Sequence, residues 1–273
     1  MTDKYCVIGN PIAQSRSPEI HAVFAAQTGQ DMSYERCLAP IDGFADTIRR
    51  LVAEGYKGSN VTAPFKLDAF RIATRLSDRA RAAGAVNTLA YRDGEIFGDN
   101  TDGAGVVADI VRNAGVPLAG KRLLVLGAGG AARGAMLPIL AEHPRTLVVA
   151  NRTRATADEL VAQFASLADG CSLSACNFED IAAPFDVVIN ATSASLGGTI
   201  PPIPAVTFCQ DTLAFDMMYA KNPTVFMEFA AAHGATTRDG LGMLVEQAAE
   251  AFFVWRGVRP ETQQLLKDMR SKL

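Results

Sequence analysis

Short apolar runs alternate along this chain with stretches whose apolar residues recur at helical spacing. Tyr5-Cys6-Val7-Ile8, Leu123-Leu124-Val125-Leu126, Thr146-Leu147-Val148-Val149-Ala150 and Leu213-Ala214-Phe215-Asp216-Met217 are such runs. A longer one, Phe185-Asp186-Val187-Val188-Ile189-Asn190-Ala191-Thr192-Ser193, ends in small polar residues. Runs of this length predict buried strands, because a strand covered on both faces needs no polar alternation. Between them, Ile20, Val23 and Phe24 fit one helix, and Phe44, Ile48, Leu51 and Val52 fit another over residues 41–55. Leu67, Phe70, Ile72 and Leu76 fit a third, and further helices are predicted over 103–113, from the glycines after Leu126 to about Leu140, and over 241–255. Residues 84–91 and 96–98 read as two strands joined by a turn at Arg92-Asp93-Gly94-Glu95. Strands alternating with helices predict an α/β fold.

The run from Leu123 continues as Gly127-Ala128-Gly129-Gly130-Ala131-Ala132 and then into an Ala-rich helical pattern. Strand, glycine turn and helix is the context that a dinucleotide fingerprint requires. Gly127 makes the tight turn, Gly129 lets the backbone approach a pyrophosphate, and Ala132 allows close helix–strand packing. The helix start then offers free N–H groups to phosphates. The strand at Thr146 ends in Asn151-Arg152-Thr153, where NAD-binding proteins usually carry an acid for the ribose hydroxyls. An arginine and a hydroxyl suit a 2′-phosphate instead, so the pattern points to NADP, with Arg154 a second phosphate candidate.

Other polar clusters are open to two interpretations. Ser17 can cap a helix with Pro18 at its first position, or Ser15 and Ser17 can bind a polar ligand. Lys66 follows a turn at Ala63-Pro64 and is read as the start of a helix or as an ordinary surface lysine. Asp99-Asn100-Thr101-Asp102 is a solvated loop, a cap or a polar site at a domain junction. Asn60 is read as closing a backbone turn, and His21 as a packed or surface histidine.

With 273 residues, 49% of them hydrophobic, the chain is long enough for two domains with real cores. A net charge of −3 gives no sign of a nucleic-acid surface. Cys6, Cys37, Cys171, Cys176 and Cys209 are scattered without a CxxC pair, which predicts reduced thiols and no metal site. Neither a leader peptide nor a membrane-spanning run is read from the sequence, so a cytoplasmic location is expected.

SRSP, NVTAPFK, AGAVNTL, GDNTDG, GAGGAAR, NRT, NATS, DMMY and DGLGMLVEQAAEAF occur in this order over nearly the whole chain. In these motifs the chain resembles the shikimate dehydrogenases. The resemblance implies two α/β domains separated by a cleft: a substrate domain of residues 1–102 plus 240–273, and a Rossmann-type, doubly wound parallel-sheet NADP domain of residues 103–239. It implies NADPH-dependent, reversible reduction of 3-dehydroshikimate to shikimate in aromatic amino-acid biosynthesis, by a monomer or a homodimer. Lys66 and Asp102 match the family's acid/base pair. Ser15 and Ser17 match the carboxylate-binding hydroxyls; Thr62, Asn87, Asp102 and Gln247 match the ring-hydroxyl contacts, and Tyr219 a further substrate contact. Gly127, Ala128, Gly129, Gly130, Ala131, Asn151, Arg152, Thr153, Arg154, Thr192, Met217 and Gly240 fall on the cofactor motifs. Two positions depart from the pattern: Ala63 stands where a larger β-branched residue is common, and Thr156 where many members have a base. A quinate-accepting enzyme with relaxed cofactor use, or a non-catalytic NADP-binding regulator, are the alternatives. The first would favour an acid in place of Arg152, and the second the loss of Lys66 or Asp102; neither is seen.

Overall fold

The computed structural model describes residues 2–273. Its strands are β1 (Asp3–Gly9), β2 (Met32–Leu38), β3 (Tyr56–Val61), β4 (Arg75–Leu76), β5 (Thr88–Arg92), β6 (Glu95–Asp99), β7 (Arg122–Leu126), β8 (Thr146–Ala150), β9 (Ser172–Cys176), β10 (Val187–Asn190), β11 (Leu213–Asp216) and β12 (Thr236–Arg238). The α-helices are α1 (Ser17–Thr28), α2 (Phe44–Ala53), α3 (Lys66–Ile72), α4 (Asp78–Ala83), α5 (Asp102–Ala108), α6 (Gly130–Leu140), α7 (Arg154–Phe164), α8 (Val225–Ala232), α9 (Leu241–Arg256) and α10 (Gln263–Arg270). Two compact units result. One runs from the chain's start to Gly105 and resumes over Val245–Met269; the other takes Val106–Leu244 with Arg270–Leu273.

The first unit is built on a six-stranded sheet in the order β2-β1-β3-β5-β6-β4. β1 pairs in parallel with β2 and β3, joined through the crossover helices α1 and α2. β3, β5 and β6 are antiparallel neighbours. The predicted hairpin is present: Asp93 and Gly94 have φ of 52° and 79°, the positive pair that a two-residue turn needs to follow strand twist. Ile8, Phe44, Ile48, Leu51, Phe65 and Leu89 form the core on one face. On the other, Ala251 and Trp255 of α9 pack on Tyr5 and Ala90. Trp255 Nε1 donates to the Leu89 carbonyl at 2.9 Å. Gly58 permits this approach, since a Cβ there would stand 2.5 Å from that nitrogen.

The second unit holds a fully parallel sheet in the order β12-β11-β10-β7-β8-β9. Counted from β7, this is the strand order of the doubly wound dinucleotide fold. The order reverses between β7 and β10, and a crevice at their carboxyl ends is where such sheets bind ligands. Leu124, Leu126, Val188 and Ala214 are fully buried, as continuous apolar strands require.

Several elements differ from expectation. α2 is shorter than residues 41–55. The helix from residue 103 begins at Asp102, and its last turn, Asp109–Asn113, widens to i→i+5 bonding. Leu76 lies in β4, not in α3. Ser17 does not cap α1: Arg16 holds the cap position without a side-chain bond, and Ser17 is the first helical residue.

Candidate functional site

β1, β3 and β6 run in the same direction, so their carboxyl ends and the start of antiparallel β5 share one sheet edge. Loops and helix starts at that edge carry nearly every predicted polar residue of the first unit. Lys66 opens α3, and its Nζ donates to Asp102 Oδ2 at 2.5 Å. Their side chains are 36% and 20% exposed, so the pair is open to a ligand. Asn87, just before β5, donates from Nδ2 to Asp102 Oδ1 at 2.8 Å and to Thr101 Oγ1 at 3.0 Å. Gln247 of α9 joins through Oε1, which accepts from Thr101 Oγ1 at 3.4 Å and from Asn87 Nδ2 at 3.5 Å. Lys66, Asp102, Asn87 and Gln247 thus form one cluster, although their motifs are far apart in the chain.

The segment after β1 supplies the serines. Ser15 Oγ donates to Ser17 Oγ at 3.2 Å, and the Ser17 amide donates back to Ser15 Oγ at 3.3 Å. Two hydroxyls therefore stand side by side, a fit for two oxygens of one anion. Arg36 of β2 fixes the Ser15 carbonyl with two donors, at 3.0 and 2.5 Å. Thr62 follows β3, and its amide donates to the Ile8 carbonyl at 2.9 Å. Gly9 makes room for it, since a Cβ there would lie 2.6 Å from Thr62 Cγ2.

A buried ion cluster fixes the loop that ends in Asp102. Arg79 forks onto Asp99, Nε to Oδ1 at 2.7 Å and Nη2 to Oδ2 at 2.6 Å, and reaches Glu250 of α9 at 2.8 Å. Burial pushes the Asp99 carboxyl up, but the hydrogen bonds and charge of Arg79 outweigh it and hold it below its usual range. Asp99 Oδ1 also accepts the Asn100 amide at 2.8 Å. Thr101 and Asp102 therefore leave the sheet in one fixed direction.

In the second unit, the ends of β7, β8 and β10 surround a pocket of about 570 Å³. Gly127, Ala128 and Gly129 line it after β7, Asn151 and Arg152 after β8, and Thr192 after β10. Gly127 has φ +99°, a backbone state that favours glycine. A Cβ on Gly129 or Gly130 would meet no protein atom within 4 Å, so the backbone there faces open space. Gly129 caps α6 without a side-chain bond, which leaves the first N–H groups of that helix for a ligand. These features fit a dinucleotide pyrophosphate. Arg152 at the pocket suits a 2′-phosphate, and among the described residues no carboxylate lines the pocket to repel one.

The other cofactor candidates lie around this lining. Gly130 and Ala131 begin α6, Thr153 caps α7, and Arg154 is exposed and paired with Asp158 at 2.9 Å. Met217 follows β11; Gly240 donates to the Met218 carbonyl at 3.0 Å, and a Cβ on it would strike the Met217 carbonyl. Tyr219, also of the second unit, is half-buried just beyond β11.

Sequence reasoning missed Phe178, Ala194 and Thr199 to Pro202, which also line the pocket. It passed over Asp216 as a strand residue. Asp216 is wholly buried and accepts from Asn190, Ser195, Thr224 and the Met218 amide. A carboxylate inside an otherwise apolar strand was the available signal, since burial of a charge demands such partners. Among the described residues no cluster of metal-ligating side chains occurs, and no helix is long and apolar enough to cross a membrane.

Three family models match the chain: the shikimate dehydrogenase substrate binding domain over residues 7–89, shikimate / quinate 5-dehydrogenase over 109–197, and the shikimate 5′-dehydrogenase C-terminal domain over 240–269. A shikimate dehydrogenase (NADP(+)) of Janthinobacterium sp. (strain Marseille) is 60% identical, covering 100% of this chain and 98% of that protein. A crystal structure of an Ael1 enzyme from Pseudomonas putida matches with a TM-score of 0.93 at 45% identity, over 98% of each chain. Shikimate 5-dehydrogenase from Thermus thermophilus, in complex with NADP(H) and shikimate, matches with a TM-score of 0.86 at 31% identity, over 100% of each chain.

Proposed function

Because the chain belongs to the shikimate dehydrogenase family, we propose that it is an NADP-dependent oxidoreductase of a CH–OH group that interconverts 3-dehydroshikimate and shikimate. The observation that carries this reading is the Lys66–Asp102 contact, 2.5 Å long and open to a ligand on the edge that also holds Asn87 and Gln247. Gly127, Gly129, Arg152 and the start of α6 would hold the cofactor's phosphates, and when bound NADPH supplies the hydride.

The chain's own residues bind the substrate and manage one proton. Reduction builds negative charge on the carbonyl oxygen. The Lys66 ammonium stabilises that charge and gives up a proton to it; in the reverse direction the amine takes the proton back. Asp102 Oδ2 keeps the ammonium in place, while Asn87 occupies the other carboxylate oxygen so that it cannot compete. Ser15 and Ser17 receive the substrate carboxylate. Thr62, Asn87, Asp102 and Gln247 take the ring hydroxyls, and Tyr219 is assigned to the substrate from its motif alone.

The test follows NADPH absorbance with 3-dehydroshikimate, and with shikimate and quinate in the oxidative direction. Fast turnover of the shikimate pair with NADP is expected, and Lys66→Ala should slow it by about 100-fold or more, the scale of general acid–base catalysis, with NADPH binding intact. Wild-type turnover in that variant would remove Lys66 from the chemistry. A wild-type protein that binds NADPH but turns over none of these substrates would defeat the reading.

A further inference from the structure

Two buried polar side chains, Asn60 and His21, and the half-buried Tyr34 meet at one point outside the proposed chemistry. Asn60, in β3, is 6% exposed. Its Oδ1 accepts from the Tyr34 hydroxyl at 2.7 Å and contacts His21 Nε2 at 3.2 Å. Its Nδ2 donates to the Asn87 carbonyl at 3.3 Å and to Thr88 Oγ1 at 3.1 Å. The backbone carbonyl can only accept, so the orientation of the Asn60 amide is fixed. Oδ1 can only accept in turn, so His21 carries its proton on Nε2. His21 is fully buried and stacks on Tyr34 with ring centroids 4.2 Å apart.

From Asn60 the network continues through Thr88, whose Oγ1 also lies 3.4 Å from Thr101 Oγ1. Thr88 Oγ1 accepts from Asn60 and donates to Asn87 Oδ1 at 2.9 Å, since that oxygen can only accept. Asn87 Oδ1 also accepts the Thr101 amide at 2.9 Å. Asn87 Nδ2 is thereby turned to Asp102 Oδ1, and Asp102 Oδ2 to Lys66.

We infer that His21 and Tyr34 are positioning residues of this enzyme: two donors on the single acceptor of Asn60 that orient Asn87 and so aim Asp102 at Lys66. The inference rests on the proposed activity only for its kinetic consequence, since the network itself is a statement about amide orientation. Two donors on one acceptor make the device redundant. Either donor alone satisfies Oδ1; loss of both leaves that buried oxygen unpaired and the amide held through Nδ2 alone.

That redundancy is the signature to measure in the full chain. His21→Phe and Tyr34→Phe each keep an aromatic ring and remove one donor. Each single variant is expected to keep kcat within about 3-fold, and the double variant to lose more than the product of the singles, about 10-fold or more, with KM for NADPH unchanged. His21→Gln, which restores an N–H donor, should rescue the Tyr34→Phe background. Additive effects, or a Gln variant as slow as the Phe variant, would overturn the inference in favour of plain packing. A second readout needs no activity: the ¹⁵N side-chain amide resonance of Asn87 should move in the double variant and hold in the singles. An unmoved resonance in a folded double variant overturns the network even if the wild type proves inactive on shikimate. If the double variant does not fold, Asn60→Asp serves instead. It puts an acceptor against the Asn87 carbonyl, and wild-type kcat in that variant would also sink the inference.

Discussion

His21 Nδ1 is a buried nitrogen with no hydrogen-bond partner, one of two such side-chain atoms among the described residues. Burial lowers the His21 pKa to about 3, with the Asn60 contact opposing it in part. The folded value lies below the ordinary 6.5, so the folded state prefers the neutral ring. The resulting stability is complete above about pH 6.5 and is lost as pH falls from there toward 3. The melting temperature of the wild-type protein should fall across that window, and His21→Phe should flatten the fall. A parallel fall in both proteins would mean that other groups carry the acid sensitivity. Gly240 offers a second test at this scale. A Cβ there meets the backbone carbonyl of Met217, which has no side-chain freedom to yield. Gly240→Ala should therefore cost about 1–3 kcal/mol in denaturant titrations, as overpacking does. A neutral result would show that the Met217 peptide shifts freely.

At the scale of elements, Arg79 ties α4 to the end of β6 and to α9. Removing it leaves Asp99, 4% exposed, without its counter-charge. Arg79→Met is expected to destabilise the protein by about 3–5 kcal/mol, the usual cost of stranding a buried charge. It should also slow turnover, because the loop that aims Asp102 starts at Asp99. A stability loss with full kcat would separate the clamp from the site. Strands covered on both faces were readable from the chain, as β7, β10 and β11 show, because continuous burial writes continuous apolar runs. β2 was not: it is an edge strand that alternates burial, and Met32-Ser33-Tyr34-Glu35-Arg36 carries too little apolar signal. Ser17 had the sequence of a helix cap, but its neighbour Arg16 took that position and left the hydroxyl for Ser15. Lys66, Asp102, Asn87 and Gln247 were nameable from motifs. Their common cluster was not, because strand pairing brings them together across long separations. The same holds for His21, Tyr34 and Asn60, each of which looks ordinary in its own segment.

At the scale of the whole molecule, ligand binding adds to stability in proportion to occupancy. NADP at about 100 times its Kd should add about 2.7 kcal/mol, visible as a raised melting temperature. NAD at the same concentration should add clearly less if Arg152, which lines the pocket, binds the 2′-phosphate that NAD lacks. Equal shifts for both would remove Arg152 from the selection.

The first unit is interrupted by residues 106–244 and completed by Val245–Met269. The ribosome therefore begins this unit first but cannot deliver its last part until the whole of the interruption has been synthesised. Trp255, which seals the sheet beside Leu89, and Gln247, which joins the lysine cluster, both arrive in that late instalment. Val106–Leu244, made in between, has its entire sheet before then. A nascent chain arrested just after Leu244 should accordingly protect the dinucleotide pocket from protease while the earlier-made segment stays cleavable. The unit begun first is the one whose chain is finished later than the sheet between its two parts.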